Sequence, residues 1–205
     1  MKQQLLLFAF CIPYFLPAQS NWSPAPLQLP TRWSKLVTSE NALPEYPRPQ
    51  MVRTNWTSLN GLWDYAITAK DAASPIHYDG KILVPYPIES ALSGVKKALL
   101  PSQNLWYKRN FDVQIKSSER TLLHFGAVDW QAKVFVNSKE AGTHQGGYTA
   151  FSLDITDKLK PGSNEILIKV FDPTDEGIGP HGKQVLHPQN IYYTASSGKI
   201  GRAHV

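Results

Sequence analysis

Hydrophobic and polar positions alternate with a period of two through most of this chain. In "NEILIKVFD" (164–172) Ile166, Ile168 and Val170 point one way and Leu167 and Phe171 the other, as in a half-buried strand. "WQAKVFVN" (130–137) repeats the pattern with Ala132, Val134 and Val136 on one face, and "RTLLHFGAV" (120–128) before it reads as its pairing partner. "LNGLWDYAI" (59–67), "KILVPYPIES" (81–90) and "NLWYKRNFDV" (104–113) read as further strands, the second broken by Pro85 and Pro87. Turn chemistry separates them. Asn60-Gly61 turns into the first strand, and Asn137-Ser138-Lys139 is a tight turn in which glycine would sit more easily than Ser138. Gly146-Gly147 marks a bend or bulge, and Asp154-Ile-Thr-Asp157 a helix start or tight turn. No segment carries a long helical period, so the pattern predicts an all-β sandwich or barrel.

Composition agrees: aromatics are 11% and charged residues only 18%, with 16 Pro and 13 Gly among 205 residues. The chain is long enough for one ordinary domain. The formal charge of +5 comes from 21 Lys and Arg against 16 acids, and it falls to +2 without Lys2, Lys199 and Arg202. No basic run interleaved with aromatics remains, which argues against a nucleic-acid partner.

The two ends read differently from the body. "MKQQLLLFAFCIPYFLPAQS" has a cation at Lys2, an apolar stretch from Leu5 to Leu16 and small residues near Ala18, the layout of a signal peptide over 1–18. It is too short to span a bilayer, so a secreted or periplasmic protein without a membrane anchor is expected. Cys11 lies in this segment, and bulky Phe10 precedes it, so lipid attachment is disfavoured. Cleavage after Ala18 would remove the only cysteine, excluding disulfides and thiol catalysis. Residues 19–50 hold six prolines and read as an extended lead-in docked on a folded body over 51–198. Asn21-Trp-Ser and Asn55-Trp-Thr are sequons, relevant only in a glycosylating host.

Complete catalytic chemistry is not visible in the residues. A glycosidase needs two carboxylates facing each other. Asp129, Asp154, Asp157, Asp172, Asp175 and Glu176 are available, but no pair stands out; Asp154, Asp157 and Asp172 suit turns that accept backbone N–H groups. His124, His144, His181 and His187 are too scattered for a metal motif, and His124 fits a hydrogen-bonded interior position. No Gly-x-Ser-x-Gly elbow occurs, and "GTHQGG" lacks the Lys-Ser/Thr end and following helix of a phosphate loop. Neither a metal nor another cofactor is called for. Trp63, Trp106 and Trp130 could stack on sugar rings, but core packing is the expectation for each.

Six ordered blocks carry a resemblance over about residues 28–198. They are "RPQMVRTNWTSLNGLWDYAI", "VPYPIESALSGV", "LWYKRNF", "LLHFGAVDWQAKVFVN", "GTHQGGYTAFSLDIT" and "NEILIKVFDPTD", continued by "GKQVLHPQNIYYTASSG". Together they resemble the N-terminal sugar-binding domain of glycoside hydrolase family 2, which includes β-galactosidases, β-glucuronidases and β-mannosidases. The resemblance implies a jelly-roll sandwich, followed in such proteins by an immunoglobulin-like domain and a (β/α)8 barrel holding the two glutamates of a retaining mechanism. A barrel of that kind takes roughly 250 residues. Neither catalytic glutamate is therefore assigned here, and this chain alone is expected to be inactive. The resemblance also implies that edge loops of the first domain shape the pocket for a terminal β-glycoside, galactoside being the commonest expectation. Those loops match Ser102-Gln103-Asn104 and Gln184 to Tyr193, so Asn104, Gln184, Asn190 and Tyr193 are the expected sugar contacts, while Trp130 and His144 read as scaffold. A free-standing carbohydrate-binding module is the alternative. The expected partners are carbohydrate and the downstream domains.

After Gly198 the resemblance stops. The family continues with an apolar strand of the form Ile-Trp-Gln-Thr-Val, whereas this chain reads Lys199-Ile-Gly-Arg-Ala-His-Val205. Ile200 to Val205 is also what ATC GGA AGA GCA CAC GTC encodes, the start of a widely used sequencing adapter. Residues 199–205 are therefore expected to be adapter read-through that leaves the sandwich incomplete at its C-terminus, with an open sheet edge prone to aggregation.

Overall fold

The computed structural model describes residues 22–205 apart from Ser117 and Ile178, so the expected signal peptide and the Asn21 sequon lie outside the described residues. Eleven strands are described: β1 (Gly61–Ala69), β2 (Gly80–Val84), β3 (Gln103–Asp112), β4 (Leu122–Phe125), β5 (Gln131–Val136), β6 (Lys139–Gln145), β7 (Phe151–Asp154), β8 (Ser163–Phe171), β9 (Gln184–Val185), β10 (Tyr193–Thr194) and β11 (Ala203–His204). They form a jelly-roll-type sandwich. One sheet runs β2-β1-β3-β8-β5-β6, the other β11-β4-β7, and β9 and β10 make a separate two-stranded patch. Period-two patterning fills the space between the sheets. Trp63, Tyr65, Leu105, Tyr107, Ile168 and Val134 face inward from the large sheet, and Leu123, Phe125 and Ala203 meet them from the small one.

Side chains tie down several of the bends. The Arg109 guanidinium donates to the carbonyls of Asn60 at 2.8 Å and Leu59 at 3.1 Å, tying down the turn that launches β1. The lead-in lies across the body. Trp22 Nε1 donates to Ser93 O at 2.9 Å, and Lys96 Nζ to Pro26 O at 2.6 Å. Asp154 Oδ1 accepts from the Thr156 amide at 3.0 Å, and Asp172 Oδ1 from the Thr174 amide at 2.7 Å, both Asx turns.

Two expectations are corrected. β4 and β5 are not partners. β4 pairs with β7 and β11, whereas β5 pairs with β6 and β8, so the chain changes sheet between them. The tail does not leave its edge open either. Ala203 and His204 pair with Phe125 and His124 of β4, and Thr57 and Val205 exchange backbone hydrogen bonds of 2.6 and 3.0 Å. A ladder uses backbone groups that every residue except proline supplies, so this segment closes the edge whatever its side chains. The side chains fit less well: Lys199 is fully buried, its Nζ donating to Gly201 O at 2.9 Å.

The β5–β6 turn follows the sequence expectation. Asn137 and Ser138 both have positive φ, 50° and 65°. Ser138→Gly relieves that strain and is expected to stabilise the chain by about 0.5–1 kcal/mol, read as a rise in urea midpoint.

Candidate functional site

β5 and β8 are antiparallel neighbours, with Gln131 opposite Phe171. Asp129 and Trp130, just before β5, therefore come beside Asp172 and Pro173, just after β8. Together with His181 and Gln184 they line a cavity of about 260 Å³ at one end of the sandwich. Asp129 and Asp172 are both buried. Burial first, and the charge of Asp172 second, push the Asp129 carboxyl up to about 7. Gly147 makes room for that carboxyl, since a Cβ there would lie 2.3 Å from Asp129 Oδ1.

The segment Ser196–Gly198, bonded to the cavity residues Gln184 and Asp129, is held amide by amide. The Ser196 N–H donates to Gln184 Oε1 at 2.6 Å and the Ser197 N–H to Glu89 Oε2 at 2.9 Å. The next amide, Gly198, exchanges two 2.8 Å hydrogen bonds with the Asp129 backbone. Burial pushes the Glu89 carboxyl up to about 7. Gln184 also donates from Nε2 to the Tyr148 hydroxyl at 3.3 Å. The parallel β9–β10 patch sets Tyr193 directly beside Gln184.

Three of the four expected sugar contacts share this region. Gln184 lines the cavity, Tyr193 is 65% exposed next to it, and Asn190 occupies a left-handed position (φ 54°) in the loop between them. Asn104 stands apart from these three. On β3, Leu105 and Tyr107 take the core-facing parity, so Asn104 points to the opposite face of the large sheet. It is buried there, donating from Nδ2 to Lys70 O at 2.7 Å and lining a separate depression of about 360 Å³. Phe171 is common to both concavities.

Asp129 and Asp172 are far apart in the sequence, and no local signal pairs them. The missing information was which strands are neighbours. Trp63 is a core residue, with its Nε1 donating to Leu59 O at 2.8 Å. Trp106 is 4% exposed on the outer face, where its Nε1 donates to Thr68 Oγ1 at 2.9 Å. Trp130, read as scaffold, is half-buried and walls the cavity. His124 is half-buried and hydrogen-bonds Ser152 Oγ at 2.6 Å. Among the described residues no group of three or more His, Cys, Asp or Glu could hold a metal ion.

The arrangement suits hydroxyl groups. A carboxyl that titrates near 7 donates in one form and accepts in the other, and the Gln184 amide offers both roles. It also has a pH signature. An unfolded Asp titrates near 3.9. The folded state therefore binds the extra proton between about pH 4 and 7, and Asp129 costs stability as pH rises through that window. Asp129→Asn removes this dependence. Its melting temperature relative to the unsubstituted chain should be higher at pH 8 than at pH 5, as calorimetry at both values would show.

Comparison with known proteins places the chain. The sequence profile of the glycosyl hydrolases family 2 sugar-binding domain matches residues 76–178, about half of its length. The chain belongs to that family. A β-galactosidase of Thermoanaerobacter pseudethanolicus is 42% identical over 83 residues, 39% of this chain and 11% of that protein. A putative β-glucuronidase of Formosa agariphila is 37% identical over 79 residues, 38% of this chain and 10% of that protein. The Lactobacillus rhamnosus β-glucuronidase structure superposes with a TM-score of 0.50 at 30% identity, covering 58% of this chain and 21% of that one. Alignment thus reaches about a tenth of the length of these first two relatives.

Proposed function

We propose that this chain is the sugar-binding domain of a secreted, retaining β-glycosidase, and that it supplies one wall of the pocket for the terminal sugar. The observation that carries the reading is the cavity lined by Asp129, Asp172 and Gln184, with exposed Tyr193 paired to Gln184 in the β9–β10 patch. The relatives are named for glucuronides and for galactosides. The cavity favours the neutral sugar. Among the described residues no Lys or Arg lines it, so a glucuronate carboxylate would find no cation there and would face the Asp172 charge that already raises Asp129. A galactoside presents only hydroxyls to the same groups.

The chain is expected to bind methyl β-galactoside weakly and methyl β-glucuronide more weakly by calorimetry at pH 7.5. Gln184→Ala should abolish the galactoside signal. Equal or tighter glucuronide binding would reverse the substrate assignment, and no binding of either sugar would remove the proposal. Nitrophenyl β-galactoside and β-glucuronide should not be turned over, because the catalytic glutamates of the retaining mechanism are expected in a barrel outside this chain; measurable turnover would contradict that.

A further inference from the structure

The outer face of the large sheet carries a row of cations that the sugar site does not use. Lys169 and Lys133 alternate with the inward-facing residues of β8 and β5, so both point away from the core. They are directly opposite each other, and the row continues to Trp106 on β3 and Thr143 on β6. Lys70, just past the end of β1, completes the group, its Nζ lying 3.9 Å from the Phe171 ring centroid. The three lysines line the depression that also contains Asn104 and Gln131, with Asp71 as the single acid among the lining residues.

The electrostatics are unfavourable without a ligand. Like charges placed directly opposite on neighbouring strands destabilise a sheet. Lys133 is paired with Glu140 at 2.8 Å, but among the described residues Lys70 and Lys169 have no carboxylate within ion-pair distance. Lys169 Nζ instead lies 5.5 Å from the Trp106 ring centroid. Asn104 and Gln131 add amide groups between the ammonium groups. Little ring surface is open to stacking, Trp106 being 4% exposed and half-buried Phe171 carrying Lys70 over one face. Single-stranded nucleic acid needs exposed rings for its bases, so the partner that fits is one recognised by its charge and hydroxyl groups.

We propose that this depression is a second, non-catalytic carbohydrate site that takes an anionic polysaccharide through its carboxylate or sulfate groups. It is separate from the Gln184 cavity and independent of the function proposed for that cavity.

Affinity electrophoresis of the whole chain tests this in gels containing polygalacturonate, carrageenan, neutral galactan or oligo-dT. Polygalacturonate and carrageenan separate carboxylate from sulfate recognition, and at least one should retard the chain. Lys133→Gln/Lys169→Gln should weaken that retardation by about tenfold or more. A charge-matched control, Lys35→Gln/Lys97→Gln, replaces exposed lysines outside the depression and should stay within about twofold. Gln184→Ala should change nothing, so a failed galactoside site and a failed anionic site give different results. The Lys133/Lys169 variant relieves a like-charge pair but loses the exposed Lys133–Glu140 ion pair, two small and opposing effects, so it should keep a single cooperative melting transition, and that shows it to be folded. Equal loss in the charge-matched control, equal retardation by neutral galactan, tighter binding of oligo-dT, or no retardation by either acidic polysaccharide would each overturn the proposal.

Discussion

Lys199→Ile raises the melting temperature of the chain by about 10 °C at pH 7. Lys199 is fully buried between aromatic rings, its Nζ 5.8 Å from the Trp63 centroid and 5.6 Å from that of Phe125. Burial, and then the nearby Arg109 charge, hold its ammonium well below the usual lysine range. Desolvating such a group costs several kcal/mol, and one hydrogen bond to Gly201 O recovers part of it. Isoleucine is the residue that the family resemblance leads one to expect at this position. A gain of about 3 kcal/mol corresponds to about 6–12 °C in a domain of this size. The sign can be checked by pH. An unfolded lysine keeps its proton up to about 10.4, whereas the folded one releases it earlier. Stability of the unsubstituted chain therefore rises with pH across that window, and the advantage of the isoleucine variant should shrink between pH 7 and pH 10. An advantage that grows with pH would show that Lys199 is not buried as a suppressed cation.

Trp63→Ala has the opposite and comparably large effect, a loss of about 4 kcal/mol. Trp63 is 0% exposed and meets Tyr107 edge-to-face at 6.5 Å. No small residue can refill that space between the sheets. The hydrogen bond lost with the indole leaves Leu59 O still accepting from Arg109, so the cost is chiefly the cavity. Urea unfolding should show a lower midpoint with an unchanged slope. Trp130→Ala should behave differently. Trp130 is half-buried, so its removal should cost about 1 kcal/mol while weakening galactoside binding.

The elements were legible because period-two patterning and turn residues are local signals. β8, with Ile166, Ile168 and Val170 inward, follows the sequence reading closely. Pairing was not legible, because β8 finds β3 and β5 across the sheet from distant parts of the chain. The same limit hid the Asp129–Asp172 cavity, which exists only because β5 and β8 are neighbours. Gln184, Asn190 and Tyr193 lie near one another because they share one stretch of chain. Asn104 was grouped with them by resemblance, although its parity with Trp106 on β3 already pointed it to the other face. The open edge expected at the tail is closed for a physical reason: backbone pairing accepts Ala203 and His204, while the poor side-chain fit shows in buried Lys199 and in the unpartnered Arg202 Nε and His204 Nδ1.

The central claim is that the end of the sandwich around Gln184 receives a sugar. The most direct test is an amide-resolved NMR titration of the isotope-labelled chain with methyl β-galactoside. Shifts confined to Asp129–Trp130, Tyr148 and Gln184–Gly198, and abolished in Gln184→Ala, are the predicted result. Saturating sugar that leaves those amides unmoved, or moves a different surface in their place, would contradict it.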